Sequence, residues 1–223
     1  MTKHLQRDLD GVYNELLSMS TVVEEMIDQA ALALIERQHE MAAIVIASDE
    51  AVDRREVKVE EDCLKILALH QPVAIDLRRI VSVIKINNDL ERIADLAVNV
   101  AQRSLALDEY LQFTVPQKVS RMVSLATQMV RGSLDAFVNL DTAAAKRIMA
   151  MDVTIDELNV EVIEELQTLM QEQPGLVVPA LHCFSASRHI ERIADHASNI
   201  AEDVVYLVAG DIVRHQAVES AKH

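Results

Sequence analysis

The pentapeptide Glu-Arg-Ile-Ala-Asp occurs twice in this chain, at 91–95 and again at 191–195. The match runs well beyond it. Residues 87–104 read NNDLERIADLAVNVAQRS and residues 187–204 read SRHIERIADHASNIAEDV, so Ala97, Asn99 and Ala101 return as Ala197, Asn199 and Ala201. Further upstream, Asp49, Asp53 and Val57 return as Asp152, Asp156 and Val160. Self-similarity at a fixed spacing is the mark of a tandem duplication. Whatever unit the first half builds, the second half builds again, and the two halves share one chain of 223 residues.

That unit is helical. Four Gly and four Pro are too few for the many turns of an all-β fold. With 3% aromatic residues and no Trp, the core is left to Leu, Ile, Val, Ala and Met, a palette suited to long packed helices. The pattern predicts six. The first carries Gly11 in its first turn and runs to about Arg37. The second spans His39 to His70, where Gln71 and Pro72 interrupt it. The third spans Val73 to Leu107. A linker from Asp108 to Pro116 follows, and a fourth helix spans Gln117 to Asn139. Asp141 is placed to cap the fifth, which runs to Glu172. Gln173-Pro174-Gly175 stops it, and the sixth spans Leu176 to Ala209 with Gly210 closing its end. Short turns make neighbouring helices antiparallel. The expected fold is all-α: two tandem three-helix bundles, residues 1–108 and 116–210, followed by a polar tail, 211–223.

Composition narrows the function. Thirty-six acids against 21 bases give a net charge of −15. Such a surface repels phosphate backbones, so nucleic acid is not expected as a partner. It equally disfavours unaided docking on anionic lipid. No apolar run approaches the ~18 residues of a membrane span, and no secretory leader is read at the start. Cys63 and Cys183 form no paired motif and read as buried, reduced thiols of a cytoplasmic protein.

The repeat carries one chemical pattern four times, an acid followed four residues later by Asp. The pairs are Asp49/Asp53, Glu91/Asp95, Asp152/Asp156 and Glu191/Asp195. Spacing of four sets both carboxylates on one helix face, where like charges repel. Each pair lies on an apolar seam. Ile46, Val57, Leu64 and Leu67 flank Asp49 and Asp53. Leu77, Ile80, Ile84 and Val98 share the azimuth of Glu91 and Asp95, and Val177 and Phe184 precede Glu191 and Asp195. The seams are expected to be buried. Each second-helix pair stands about as far before its turn as the third-helix pair stands after it, so antiparallel packing brings four carboxylates together in each half. Arg92 and Arg192 stand next to them and are expected to offset part of the charge. A cluster of oxygens suits a hard cation: Mg²⁺, Ca²⁺, Mn²⁺ or iron. Arg-paired structural acids and a solvated acidic groove are the competing readings of the same residues.

His182, His189 and His196 recur every seven residues, but on the far side of the sixth helix from Glu191 and Asp195. They are expected to face solvent or another helix. The Glu-x-x-His motif of di-iron carboxylate bundles is absent from all four positions. Ser185 and Ser187 have no evident activating base. No phosphate-binding glycine loop and no zinc or serine-hydrolase motif occurs.

Three further stretches carry a family resemblance: QPVAIDLRRI at 71–80, the two ERIAD motifs, and YLVAGDIVRH at 206–215. Together they resemble the PhoU family over nearly the whole chain. Ala94 and Ala194 stand where many members of that family have Gly. The resemblance implies two related three-helix bundles side by side. It implies that the eight acids correspond to motifs that hold metal clusters, some of them multinuclear, in certain members. It also implies a non-enzymatic negative regulator of the phosphate-starvation response. Such a regulator links the ATPase subunit of the phosphate ABC transporter to a sensor histidine kinase, dimerises, and meets the membrane through its partners only. The alternatives to it are a carboxylate-bridged metalloenzyme, an oxidase or hydrolase, and a non-catalytic helical scaffold.

Overall fold

The computed structural model describes residues 3–210. Six long helices, in chain order, make up the two bundles: α1 Lys3–Glu36, α2 His39–His70, α3 Ala74–Ala106, α4 Gln117–Asn139, α5 Thr142–Glu172 and α6 Val177–Ala209. A single 3₁₀ turn, Pro174–Leu176, leads into α6. The expected all-α fold of duplicated three-helix bundles is the observed one.

The first helix begins at Lys3, eight residues before Gly11, so Gly11 stands in its third turn and not in its first. Leu5, Leu9, Val12 and Leu16 recur at helical spacing and are buried, so their stripe carries the helix back through the polar start of the chain. Gly11 is tolerated because it faces open space, with nothing within 4 Å of where a Cβ would stand. Asp141 caps α5 as expected: one carboxylate oxygen accepts from the backbone N–H groups of Ala143 and Ala144, each at 2.9 Å. Gly210 ends α6 in the left-handed conformation, φ 80°.

The chain between bundles is held by one side chain. Arg37, left-handed at φ 56° in the α1–α2 turn, donates to the carbonyls of Leu107, Tyr110 and Phe113 at 3.2, 3.0 and 2.6 Å. Those carbonyls belong to the irregular segment after α3, where Leu107 and Tyr110 also accept from the backbone N–H groups of Tyr110 and Phe113, while among the described residues the Phe113 carbonyl accepts from Arg37 alone. Phe113 is thereby pinned in the core, 2% exposed.

The bundles share one continuous apolar core. The most extensive helix contact is between α3 and α6, the repeated pair, while α1 and α4 barely touch. Ala94, Ala97 and Ala101 are buried on α3, and Ala194, Ala197 and Ala201 on α6. Small side chains let helix axes approach closely. Thus α2, α3, α6 and α5 form a four-helix layer, with α1 packed behind α2 and α3, and α4 behind α5 and α6. Among the described residues no helix is long and apolar enough to cross a membrane. The cysteines are free and buried, and burial pushes both thiols up to about 12.

Candidate functional site: two carboxylate patches on a four-helix layer

The repeated acids influence one another's titration across neighbouring helices. On α2 and α3, Asp49 titrates above the usual carboxylate range because of burial, then because of Asp53 on its own helix and Asp95 on the next. Glu91 is raised by burial and Asp95, with smaller contributions from Asp53 and Glu56. The four carboxylates therefore lie within electrostatic reach of one another. Arg92 partly neutralises them, reaching Glu91 and Asp95 at 3.3 Å each. One oxygen of Asp49 is buried with no hydrogen-bond partner.

The second patch repeats this on α5 and α6 and is more strongly perturbed. Burial first, and then Glu191, Asp152 and Asp156, push the Asp195 carboxyl up to about 6. Asp152 is raised by burial and by Asp156, and the nearby Ser198 hydroxyl opposes the rise. Glu191 is raised by burial, with Arg188 opposing and Asp156 and Asp152 adding. The offsetting cation is Arg188, 2.7 Å from Glu191, and not the expected Arg192, which makes no ion pair among the described residues. The other Glu191 oxygen, Oε2, is buried without a partner.

The seams around the acids are buried only in part: on α3, Ile80 and Val98 are 0 and 8% exposed. Ile46, Val57 and Leu64 on α2 are 37, 51 and 54% exposed, Leu77 on α3 is 40% exposed and Phe184 on α6 is 36% exposed. The core stripe of α2 is instead Ala42, Val45, Val52, Val59, Cys63 and Ile66. A hundred degrees per residue lets two stripes coexist on so long a helix, and the acids belong to the outer one. The patches consequently sit on an exposed surface where carboxylates alternate with large apolar side chains.

Sequence reasoning missed two neighbours, Glu56 and Glu60. Burial and then Glu60 and Asp53 raise Glu56. The missed signal was their spacing of four on α2, one turn beyond Asp53. With Asp89, Asp152, Asp195 and Glu202 they line a cleft of about 710 Å³ between the bundles. Lys85 also lines it, but its ammonium is committed to Asp203 at 2.7 Å and lies 5.1 Å over the Tyr206 ring.

The histidines stand apart from the carboxylate patches in different ways. His196 reaches across to α3, its Nδ1 2.8 Å from Asp89. His189 stands 3.3 Å from the Ser185 hydroxyl, so that serine does have a basic neighbour. Its other ring nitrogen has no partner, however, so no third group orients the ring as a hydrolytic triad requires.

The carboxylates are hard oxygen donors, and two of their oxygens, on Asp49 and Glu191, are buried and unpartnered. That chemistry fits a hard cation. As placed, no three His, Cys, Asp or Glu side chains among the described residues stand close enough to hold a metal ion. Asp195, held up to about 6, can take up a proton just below neutrality, and both patches can draw in positive charge.

Comparison with known proteins accounts for both halves. The PhoU domain model matches residues 16–104 and again 119–204. A phosphate-specific transport system accessory protein PhoU homolog of Aquifex aeolicus is 38% identical over 215 residues, covering 96% of this chain and 97% of that protein. One of Pseudomonas aeruginosa is 38% identical over 222 residues, covering 96% and 91%. The crystal structure of PhoU from Pseudomonas aeruginosa superimposes with a TM-score of 0.90, covering 92% of this chain and 99% of that one. The phosphate transport system regulatory protein PhoU from Streptococcus pneumoniae gives 0.88 at 29% identity, covering 94% and 99%. With two matched domains, full-length relatives and the same fold, the chain belongs to the PhoU family.

Proposed function

We propose that this chain is a regulatory accessory of phosphate transport that represses the phosphate-starvation response when phosphate is plentiful. The observation that carries this reading is the full-length likeness to proteins named as phosphate-specific transport system accessory proteins. The adaptor joins the ATPase subunit of the phosphate ABC transporter to a sensor histidine kinase in the cytoplasm, acts as a homodimer, and is not an enzyme. The exposed mixture of carboxylates and apolar side chains on the four-helix layer supports a docking role, because such a surface offers both burial and charge to a partner.

The eight acids are proposed as ligands for hard cations, iron, manganese, magnesium or calcium, one mononuclear or multinuclear site per bundle. A bound cation supplies positive charge that relieves repulsion among the carboxylates. Asp49 and Asp53 approach from α2 while Glu91 and Asp95 approach from α3, and α5 and α6 repeat this, so each site staples two helices. Arg92 and Arg188 hold one or two of these acids in place before the cation arrives.

The test is alkaline phosphatase activity, a reporter of the starvation response, in a deletion strain grown in abundant phosphate. The expected result is high activity that the intact gene represses. Activity as low as in the parent strain overturns the reading.

A further inference from the structure

The two-fold relation between the bundles is broken in charge. Across the α3–α6 contact, Lys85 pairs with Asp203 and Asp89 with His196, at 2.7 and 2.8 Å. The contact is antiparallel and the repeat spacing is 100, so the duplication sends Lys85 to Ser185, Asp89 to His189, His196 to Leu96 and Asp203 to Arg103. At one end of the contact two carboxylates are met by two bases. At the other end the acids have become Arg103 and His189, and their two partners have become neutral.

These groups are near each other. His189 touches Ser185 at 3.3 Å. Arg192 stands three residues beyond His189, on the same face of α6, and the register that sets Lys85 against Asp203 sets Ser185 against Arg103 at the repeated end. Nothing on the described chain answers this positive charge. Arg103 Nε and His189 Nδ1 are both buried without a hydrogen-bond partner. The exposed Arg192 makes no ion pair, while Arg188, one turn away, is already committed to Glu191. Buried donors left unmade are costly, and a protein normally supplies an acceptor for them.

We propose that Arg103, Arg192, His189 and Ser185 bind a free tetrahedral oxyanion, inorganic phosphate. Guanidinium groups fit phosphate oxygens in the bidentate manner. The His189 imidazole suits phosphate in particular. If Nδ1 carries the proton it donates to a phosphate oxygen, and if it carries the lone pair it accepts from the P–OH group of hydrogen phosphate. Sulfate at neutral pH has no proton to give and meets only the first case.

The experiment is calorimetric titration of the metal-free protein with inorganic phosphate at constant ionic strength, with sulfate as control. Removing metal keeps the result independent of the carboxylate patches. Binding of phosphate, weaker binding of sulfate, and a loss of at least about tenfold in phosphate affinity in R103Q/R192Q are expected. The variant R54Q/R131Q, which removes the same charge elsewhere, leaves the affinity unaltered. R192Q alone, which alters an exposed side chain, still lowers it about threefold and serves should the half-buried Arg103 prove necessary for folding. No phosphate binding by the wild type, equal binding of sulfate, or an equal loss in R54Q/R131Q overturns the proposal.

Discussion

Removing a charge from the second patch should stabilise the metal-free protein. Asp195 has an ordinary value of 3.8 and is held at about 6, by burial and by Glu191, Asp152 and Asp156. A carboxyl whose pKa is raised by folding binds its proton more tightly in the native state. Native protein therefore gains stability as pH falls from about 6 towards 3.8, and bears the full penalty above 6. The difference corresponds to about 3 kcal/mol for a fully desolvated group. Asp195 is exposed, so solvent screening reduces this to about 1 kcal/mol. Asp195→Asn keeps the shape and removes the charge. Urea unfolding of the metal-free variant at about pH 7.5 should show a gain of about 1 kcal/mol, or about 2–4 °C in Tm. At about pH 3, below both values, the gain should disappear, because wild-type Asp195 is then largely protonated in both states. A loss of stability at pH 7.5, or a gain that does not depend on pH, would refute the argument that mutual repulsion and burial strain this patch.

Other perturbations follow from single contacts. Arg37→Ala removes three charged hydrogen bonds and leaves the Phe113 carbonyl, alone of the three acceptors, without a donor among the described residues; it should cost about 1–3 kcal/mol by urea unfolding. Lys85→Met takes a cation from Asp203, whose side chain is 2% exposed, and should cost about 3 kcal/mol. Adding Asp203→Leu should recover a large part of that loss, which a double-mutant cycle measures. Asp141→Ala removes both cap bonds of α5 and should lower stability by about 1 kcal/mol, read as a lower midpoint with an unchanged urea slope.

The helices, their order and the duplication were legible because they rest on local signals: spacing of apolar residues, a capping Asp, and punctuation at Pro72, Pro116 and Pro174. The start of α1 was misjudged because charged residues hide the stripe of Leu5 and Leu9. The electrostatic influence of acids on neighbouring helices was legible too, since equal distances from a turn set antiparallel residues at one level. What sequence could not supply was the depth of each stripe. On helices as long as α2 two apolar stripes exist, and only the position of neighbouring helices decides that Val59 is core while Val57 is rim. The roles of Arg188, Glu56 and Arg103 likewise depend on contacts set by side-chain reach and by the α3–α6 register. That register could have been inferred from the repeat alone, had the bundles been assumed to meet through their ERIAD helices.

The most direct test of the account is elemental analysis of purified protein after equilibrium dialysis against iron or manganese, beside the variant Asp95→Ala with Asp195→Ala. The account predicts bound metal in the wild type and marked loss in the double variant, with one residue removed from each patch. Full occupancy in the double variant, or no metal in the wild type, would contradict the assignment of the carboxylates as cation ligands.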